Sequence, residues 1–337
     1  MSGPVAQDPD ELYTLRNRFW LGDFQMAIAE GNNLTRLKDE SLKIERDEFV
    51  YRSYIGLGQY GIVLNEIKEG APLRLQAIKL LASYLDNPEA NRESALKQCE
   101  DYLAKYGHSK TESTLQLVCC LIFDRENEND KAFKAIMAQS TVEQLAMWAQ
   151  LCLKIWRPEL AQAHYEKLMK IDEDAPLTQL VGAWVHLAHG GDKIKEAAFA
   201  YEELIDKFDA SISLLNGVAA CHMHLQEWED AEKYLLQALS KGNAAETLVN
   251  LLAVSIHLGK EQEVQDRYVA QLKNQYPNHP AVLRMIRCEE AFDRVSAQMK
   301  QSADLKTPID TSSSETKSGG GGKNDGGAGS DDDDDDM

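Results

Sequence analysis

The stretch YIGLGQYGIV (54–63) carries Gly56, Gly58 and Gly61 at G-x-G-x-x-G spacing. In a dinucleotide-binding turn, such glycines let the backbone approach a pyrophosphate at a helix N-terminus. That chemistry requires a buried strand before the turn and an acid about 20 residues on for the ribose. The preceding IERDEFVYRSYI instead sets Phe49, Val50, Ser53 and Tyr54 at helical spacing, and the acids flanking position 81 are Glu69 and Asp86. The segment therefore reads as a helix running into a corner. Gly56 and Gly58 end the first helix, where positive φ is needed. Gly61 begins the next helix, where a missing Cβ allows close packing.

The other chemistry-bearing side chains form no recognisable constellation. Of eight histidines, His186 and His189 are three apart on one helical face, while His222 and His224 are two apart and diverge. There is no H-E-x-x-H and no His–acid set at ligand spacing. Six cysteines (Cys99, Cys119, Cys120, Cys152, Cys221 and Cys288) form no C-x-x-C pair, and the adjacent Cys119 and Cys120 point apart on a helix. All six are expected to be buried thiols in a reducing compartment. No G-x-S-x-G, Walker A or Q-A-C stretch is present. The sequence predicts no catalytic residue, no cofactor and no metal site: a protein that is not an enzyme.

Charge narrows the partners. The 337 residues carry a net −19, and the last 37 hold ten acids against three bases, so −12 rests on the body. That balance disfavours nucleic acid and anionic membranes as partners through bulk charge. The acidic N-terminus lacks an apolar signal core, and the apolar run LVCCLIF (117–123) is too short to span a bilayer. The expected location is the cytosol, without membrane insertion.

The elements that must position these residues repeat. LLNGVAACHMHLQEWEDAEKYLLQAL (214–239) reads as two amphipathic helices with a turn near Gln226–Glu227. Small residues at Gly217, Ala219 and Ala220 admit a neighbouring helix, and Trp228, Ala231, Leu235 and Ala238 share a face. This is the tetratricopeptide pattern. With Ala231 as ruler, equivalent second-helix positions fall at Ala27, Val63, Ala95, Ala132, Ala161, Ala197 and Gln265, a mean interval of 34 residues. Pro277 in YPNHP ends the last of these helices, and His222 falls where such repeats pack an aromatic ring. Trp20, Trp184 and Trp228 sit in apolar helical patterns and are expected in the core. The predicted fold is all-α, a tetratricopeptide-repeat-like α–α superhelix. A short hairpin insertion is allowed where spacing stretches, at 31–43, 105–112 or 169–178. Residues 1–9 form a flexible N-terminus and 10–300 the solenoid. Residues 301–337 form a disordered Gly/Ser/Asp-rich acidic tail, in which Asp331–Asp336 suits a basic surface and Ser330 an acid-directed phosphorylation.

Several segments go beyond the generic repeat: DELYTLRNRFWLGDFQMAI (10–28), RDEFVYRSYIGLGQYGIVLNEIK (46–68), KIDEDAPLTQLVGAWVHLAHGGDKIKEAAFAYEEL (170–204), SLLNGVAACHMHLQEWEDAE (213–232), ETLVNLLAVSIHLGK (246–260) and YVAQLKNQYPNHP (268–280). In this order the chain resembles the epsilon subunit family of coatomer, the COPI vesicle coat. The resemblance is weaker over 84–130 and does not extend past about residue 300. It implies a non-catalytic coat subunit that curls around the C-terminal domain of the large alpha subunit and, through it, joins the rest of coatomer. It further implies recruitment to the cytosolic face of Golgi membranes indirectly, by an ARF-type GTPase, for retrograde Golgi-to-ER and intra-Golgi transport.

In a solenoid the first helices of successive repeats line the concave face, which makes Asn216, Asn250 and His257 the candidate groove residues. Capping or core satisfaction is the alternative role for all three. The alternative function is a tetratricopeptide adaptor of another cytosolic complex, such as a chaperone cofactor. Its carboxylate clamp needs Lys, Arg and Asn in the groove, and 214–239 offers only Asn216 and Lys233.

Overall fold

The computed structural model describes residues 10–304, and all regular structure among them is helical. The helices come as eight antiparallel pairs and a final single helix. The pairs are α1 (Tyr13–Trp20) with α2 (Phe24–Asn33), α3 (Glu40–Gly56) with α4 (Tyr60–Glu66), α5 (Leu73–Asp86) with α6 (Pro88–Tyr106), and α7 (Ser113–Arg125) with α8 (Asn129–Ala135). There follow α9 (Val142–Lys154) with α10 (Pro158–Ile171), α11 (Pro176–His189) with α12 (Lys193–Phe208), α13 (Ile212–His224) with α14 (Trp228–Lys241), and α15 (Ala245–His257) with α16 (Gln262–Gln275). The single helix is α17 (Pro280–Asp304).

The spacing ruler lands once in each second helix. Ala27, Val63, Ala95, Ala132, Ala161, Ala197 and Ala231 are each at most 1% exposed, because this is where the mate's backbone crosses and only a small side chain fits. Gln265 in α16 is half-buried and spends its amide on the Lys260 carbonyl at 3.0 Å. Gly182 and Gly217 admit the rings of Tyr165 and Tyr201 from the preceding second helices: a Cβ at either would lie within 2.8 Å of ring carbons. Besides its own mate, each first helix from α1 to α11 packs on the next first helix, as does α13 on α15. These first helices thus form an inner wall that runs from α1 to α11 and resumes from α13 to α15.

Most pairs turn through one left-handed residue: Gly22, Gly58, Asn127, Trp156, Gly190 with Gly191, Gln226 or Gly259. The third pair needs none. There Asn87 ends α5 and starts α6, its side chain accepting from the Ala90 amide at 3.2 Å. Within the G-x-G-x-x-G stretch, Gly58 serves by its φ of +73°, and Gly56 by proximity, since a Cβ would lie 2.6 Å from the Phe24 ring. Gly61 corrects the expectation of close packing: it begins α4, but open space surrounds the position a Cβ would take. The stretched intervals hold no strand. The helix pairs are linked there by short coil and turns at 34–39, 107–112 and 172–175.

Five cysteines are buried as expected, but Cys288 is exposed, a correction that follows from its place on a solvent-facing stripe of α17. Trp20, Trp184 and Trp228 are half-buried rather than fully enclosed. The chain divides into two units, one ending at Val282 and the other beginning at Leu283. α17 runs to Asp304, past the expected boundary at 300, because Gln301–Asp304 contains no helix breaker. The flexible N-terminus at 1–9, the rest of the acidic tail, Ser330 and Asp331–Asp336 lie outside the described residues.

Trp156 is the bulkiest of the left-handed residues, at φ +57° and 81% exposed. An L-residue pays roughly 1–2 kcal/mol for this conformation and glycine does not. Trp156→Gly is therefore expected to raise stability by about 0.5–1 kcal/mol in urea denaturation; a decrease would show that the indole makes contacts worth more than the strain.

Candidate partner-binding channel

Within the first unit, the chain turns back until α1 meets α11. Three contacts fasten this closure. Arg18 on α1 donates to the Phe208 carbonyl at 2.7 Å and pairs with Asp23 and Asp209, both at 3.1 Å. Ser211 caps α13 by accepting from the Leu214 amide at 3.1 Å, and its hydroxyl donates to the Leu21 carbonyl at 2.5 Å. The Leu21 side chain joins the apolar cluster of Leu180, Ala183 and Leu214.

The third contact centres on Glu143 of α9. Its carboxylate accepts from Trp20 Nε1 at 2.8 Å and from both terminal nitrogens of Arg52 at 3.0 Å. The Arg52 guanidinium also lies 4.4 Å from the Phe19 ring centroid and 5.2 Å from that of Phe49. One carboxylate thus ties α1, α3 and α9 together by charge-assisted bonds.

The closure forms a cavity of about 660 Å³ that is open to solvent on one side. Its walls come from α1, α3, α5, α7, α9 and α11, and from the turns at 107–112, 136–141 and 172–175. Two of these turns are set by buried glutamines. Gln116 Nε2 donates to the carbonyls of Tyr106, Gly107 and Ser109, and its Oε1 accepts from Gln144 Nε2 at 2.7 Å. Gln144 Oε1 in turn accepts from the Ser140 amide at 2.7 Å.

The lining mixes charge with aromatic surface. Arg16 is buried and held by Asp10 and Glu45, each at 2.7 Å. Glu48 is buried, accepts from the Thr114 hydroxyl at 2.7 Å and faces Arg74 at 3.4 Å. Desolvation outweighs these partners, so the Glu48 carboxyl titrates above its ordinary value. Asn17 is 2% exposed and its Nδ2 makes no hydrogen bond among the described residues. Such a site offers fixed donors, acceptors and rings to a polar chain. Away from it, in the helix cores, burial pushes the Cys120 and Cys221 thiols up to about 12, and Cys119, bonded to the Cys99 carbonyl, higher still.

The sequence-predicted groove residues lie elsewhere on the inner helices. Asn216 on α13 donates to the Ile212 carbonyl at 2.9 Å and to Thr247 Oγ1 at 2.8 Å, and accepts from Asn250 Nδ2 of α15 at 3.1 Å. The two asparagines are thus joined in a ladder between successive repeats. His257 is exposed and not part of it; its ring stacks on Trp228 at 3.9 Å and 2°. His222 stacks on Tyr234 at 5.4 Å, and its Nδ1–H donates to Glu227 Oε2 at 2.7 Å. With Asp230 these form one cluster of metal-capable atoms, within 4.8 Å of one another, in which Glu227 and Asp230 are exposed and the His–Glu pair closes the α13–α14 turn.

Sequence reasoning missed Arg16, Asn17, Glu48, Arg52 and Glu143. One signal was present: Glu45, Glu48 and Arg52 form a polar stripe at helical spacing on a helix whose Phe49, Val50 and Ser53 are buried. A second buried face on one helix means a second surface to meet.

A family model described as coatomer epsilon subunit matches residues 8–300. The chain is similar to coatomer subunit epsilon-2 of Arabidopsis thaliana, 39% identical over 86% of this chain and 97% of that one. It is 34% identical to coatomer subunit epsilon of Dictyostelium discoideum over 84% and 97%, and 31% identical to that of Caenorhabditis elegans over 86% and 99%. Among solved structures, a tetratricopeptide repeat protein from Parabacteroides merdae aligns with a TM-score of 0.53 at 12% identity, over 78% of this chain and 97% of that one. The APC/C hetero-tetramer Cut9–Hcn1 aligns at 0.55 and 14%, over 82% of this chain, which spans about half (55%) of the matched chain. The two structures share the fold.

Glu143→Ala strands the Arg52 guanidinium and the Trp20 N–H at a half-buried junction and should cost about 2–4 kcal/mol in urea denaturation. Glu143→Gln, which keeps an acceptor for Trp20, should cost less; equal costs would show that the charge alone matters. Glu48 gives a pH signature. Its folded pKa lies above the ordinary 4.5, so the folded state binds the proton more tightly than the unfolded one. The resulting penalty is full above the folded pKa and vanishes as pH falls below 4.5. Glu48→Gln should therefore flatten the pH dependence of stability in that window, and an unchanged profile would remove Glu48 as its source.

Proposed function

The chain belongs to the coatomer epsilon subunit family, and from that premise we propose that it is a non-catalytic subunit of the COPI coat that binds and stabilises the C-terminal domain of the large alpha subunit, its channel holding one segment of that domain. Family membership makes it a coat component that partners other coatomer subunits. The observation that carries the finer reading is the open-mouthed cavity of the first unit, ringed by first helices and lined by fixed polar groups. Its volume suits a narrow polypeptide segment rather than a folded domain. The unpaired Asn17 Nδ2 suits a backbone carbonyl of such a segment. Arg74 and the carboxylates of Glu45 and Glu48 suit a chain carrying both charges.

On this reading the subunit stabilises alpha by surrounding part of it, and Asn216, Asn250 and His257 act at the rim along α13 and α15. Recruitment to Golgi membranes is indirect, through the assembled coat and an ARF-type GTPase, in retrograde Golgi-to-ER and intra-Golgi transport. No helix among the described residues is long and apolar enough to cross a membrane, and attachment through partners supplies what the chain itself does not.

The test is calorimetry of the full chain with a C-terminal fragment of the alpha subunit. One-to-one association is expected. Ala138→Trp, which places a large ring on an exposed turn at the channel wall, should weaken it by at least about tenfold without lowering stability. Absent binding by a folded chain would reject the alpha-subunit reading, and full binding by Ala138→Trp would move the contact away from the channel.

A further inference from the structure

Two walls of the cavity hang on side chains that do not line it. Gln116 of α7 and Gln144 of α9 are fully buried, and neither lines the cavity. Gln116 Nε2 faces the carbonyls of Tyr106, Gly107 and Ser109 at 3.2, 3.1 and 2.7 Å. An amide nitrogen donates and does not accept, so these three carbonyls fix which way the amide points. Its Oε1 then needs a donor, and Gln144 Nε2 supplies one at 2.7 Å. That fixes the second amide in turn. Gln144 Oε1 accepts from the Ser140 amide at 2.7 Å and from the Ser140 hydroxyl at 3.0 Å. The bonds form a relay of one polarity, from the Ser140 N–H through both amides to the carbonyls of 106–109. Lining residues sit at both ends: Ala138 and Ser140 at one, Lys110 and Ser113 at the other.

Stacking of first helices does not require such a pair. Gln116 is the fourth residue of α7 and Gln144 the third of α9. The fourth residues of α13 and α15 are Leu215 and Leu248, each 1% exposed, and neither helix contributes to the cavity wall. Replacing both partners of a buried hydrogen bond by apolar groups of similar shape is close to neutral for stability. A leucine pair would therefore hold the helices together as well. It would not set the direction and distance between two turns, which a satisfied polar network does.

We propose that Gln116 and Gln144 act as one positioning unit for the partner of the channel. They lock the turns at 107–112 and 136–141 to each other, so that these parts of the wall are formed before the partner arrives. This rests on the reading that the channel holds a segment of the alpha subunit. Turns ordered in advance need not be ordered on binding, so the relay contributes to affinity. It contributes little to stability, because the bonds it makes replace bonds to water. The two turns also respond together. Loss of the Gln144 amide frees Gln116 Oε1, and with it the orientation of the amide that holds the carbonyls of 106–109.

The experiment compares the full chain with Gln116→Met, Gln144→Met and the double variant. Methionine keeps the unbranched length of glutamine and removes its polar atoms. Each protein is measured by hydrogen exchange when free, by thermal unfolding, and by calorimetry with the C-terminal fragment of the alpha subunit. The Ser109 amide, which donates to the Tyr106 carbonyl at 2.9 Å, is the exchange probe. Gln144→Met should speed its exchange by at least about threefold, although Ser109 belongs to the other turn. Each single variant leaves a buried polar atom without its partner and should lower the thermal transition; the double variant should regain most of that loss. Affinity should not follow: the double variant should still bind the fragment at least about tenfold more weakly than the wild-type chain. Affinity that recovers together with stability would give the glutamines a structural role alone and overturn the proposal. An unchanged Ser109 exchange rate in Gln144→Met overturns it too, whatever the fragment does. A wild-type chain that does not bind the fragment rejects the alpha-subunit reading, and the exchange coupling then still supports the locking of the two turns.

Discussion

The first unit depends on one carboxylate. Glu143 receives the indole N–H of Trp20 and both terminal nitrogens of Arg52, from positions 123 and 91 residues earlier in the chain. A stack of helix pairs needs only contacts between neighbours. Here the stack also closes, because α1 reaches α11 and the start of α13, and Glu143 holds the inner seam of that closure. The Ser211–Leu21 bond and the apolar seat of Leu21 secure its outer side. Closing so long a loop costs chain entropy that local stacking does not incur. The cost is met by bonds that are bidentate, charge-assisted and shielded by the rings of Phe19 and Phe49.

Closure changes what the inner helices must be. In an open stack the concave face is solvated, and polar residues there are unremarked. In a closed one, part of that face becomes interior. Arg16, Asn17, Glu48, Gln116 and Gln144 are accordingly buried, and all but Asn17 are fully engaged with neighbours. A buried polar group without a partner is costly. Of these residues only Asn17 keeps an unspent donor, its Nδ2, beside the aromatic surface of the cavity, a combination that lets a few residues dominate binding to a polypeptide.

The turns show the same division between local and long-range demands. Each left-handed corner is set locally, which is why glycine recurs at Gly22, Gly58, Gly190 and Gly259. Trp156 takes the conformation despite its side chain, a departure from local optimisation that a single chain in isolation does not reward.

The fold was legible in the sequence because its determinants are local and periodic. Small residues near every thirty-fourth position mark helix crossings, glycines mark corners, and seven of the eight ruler positions proved fully buried. The G-x-G-x-x-G stretch was resolved the same way, by the helix in front of it. Family membership was legible through ordered segments that exceed the generic repeat. The channel was not, because it arises where residues 18–22, 52, 143 and 208–213 meet, and no periodicity encodes a contact across 90 to 190 positions. Asn216 and Asn250 were correctly placed on adjacent first helices, but only the packed structure decided that they bond to each other. His257 was likewise placed on a first helix by the sequence, but only the stack showed that Trp228 lies against its ring. Spacing fixes which face a side chain occupies; what that face meets is set by the superhelical curvature, which sums small angles over many repeats and is written in no single one of them.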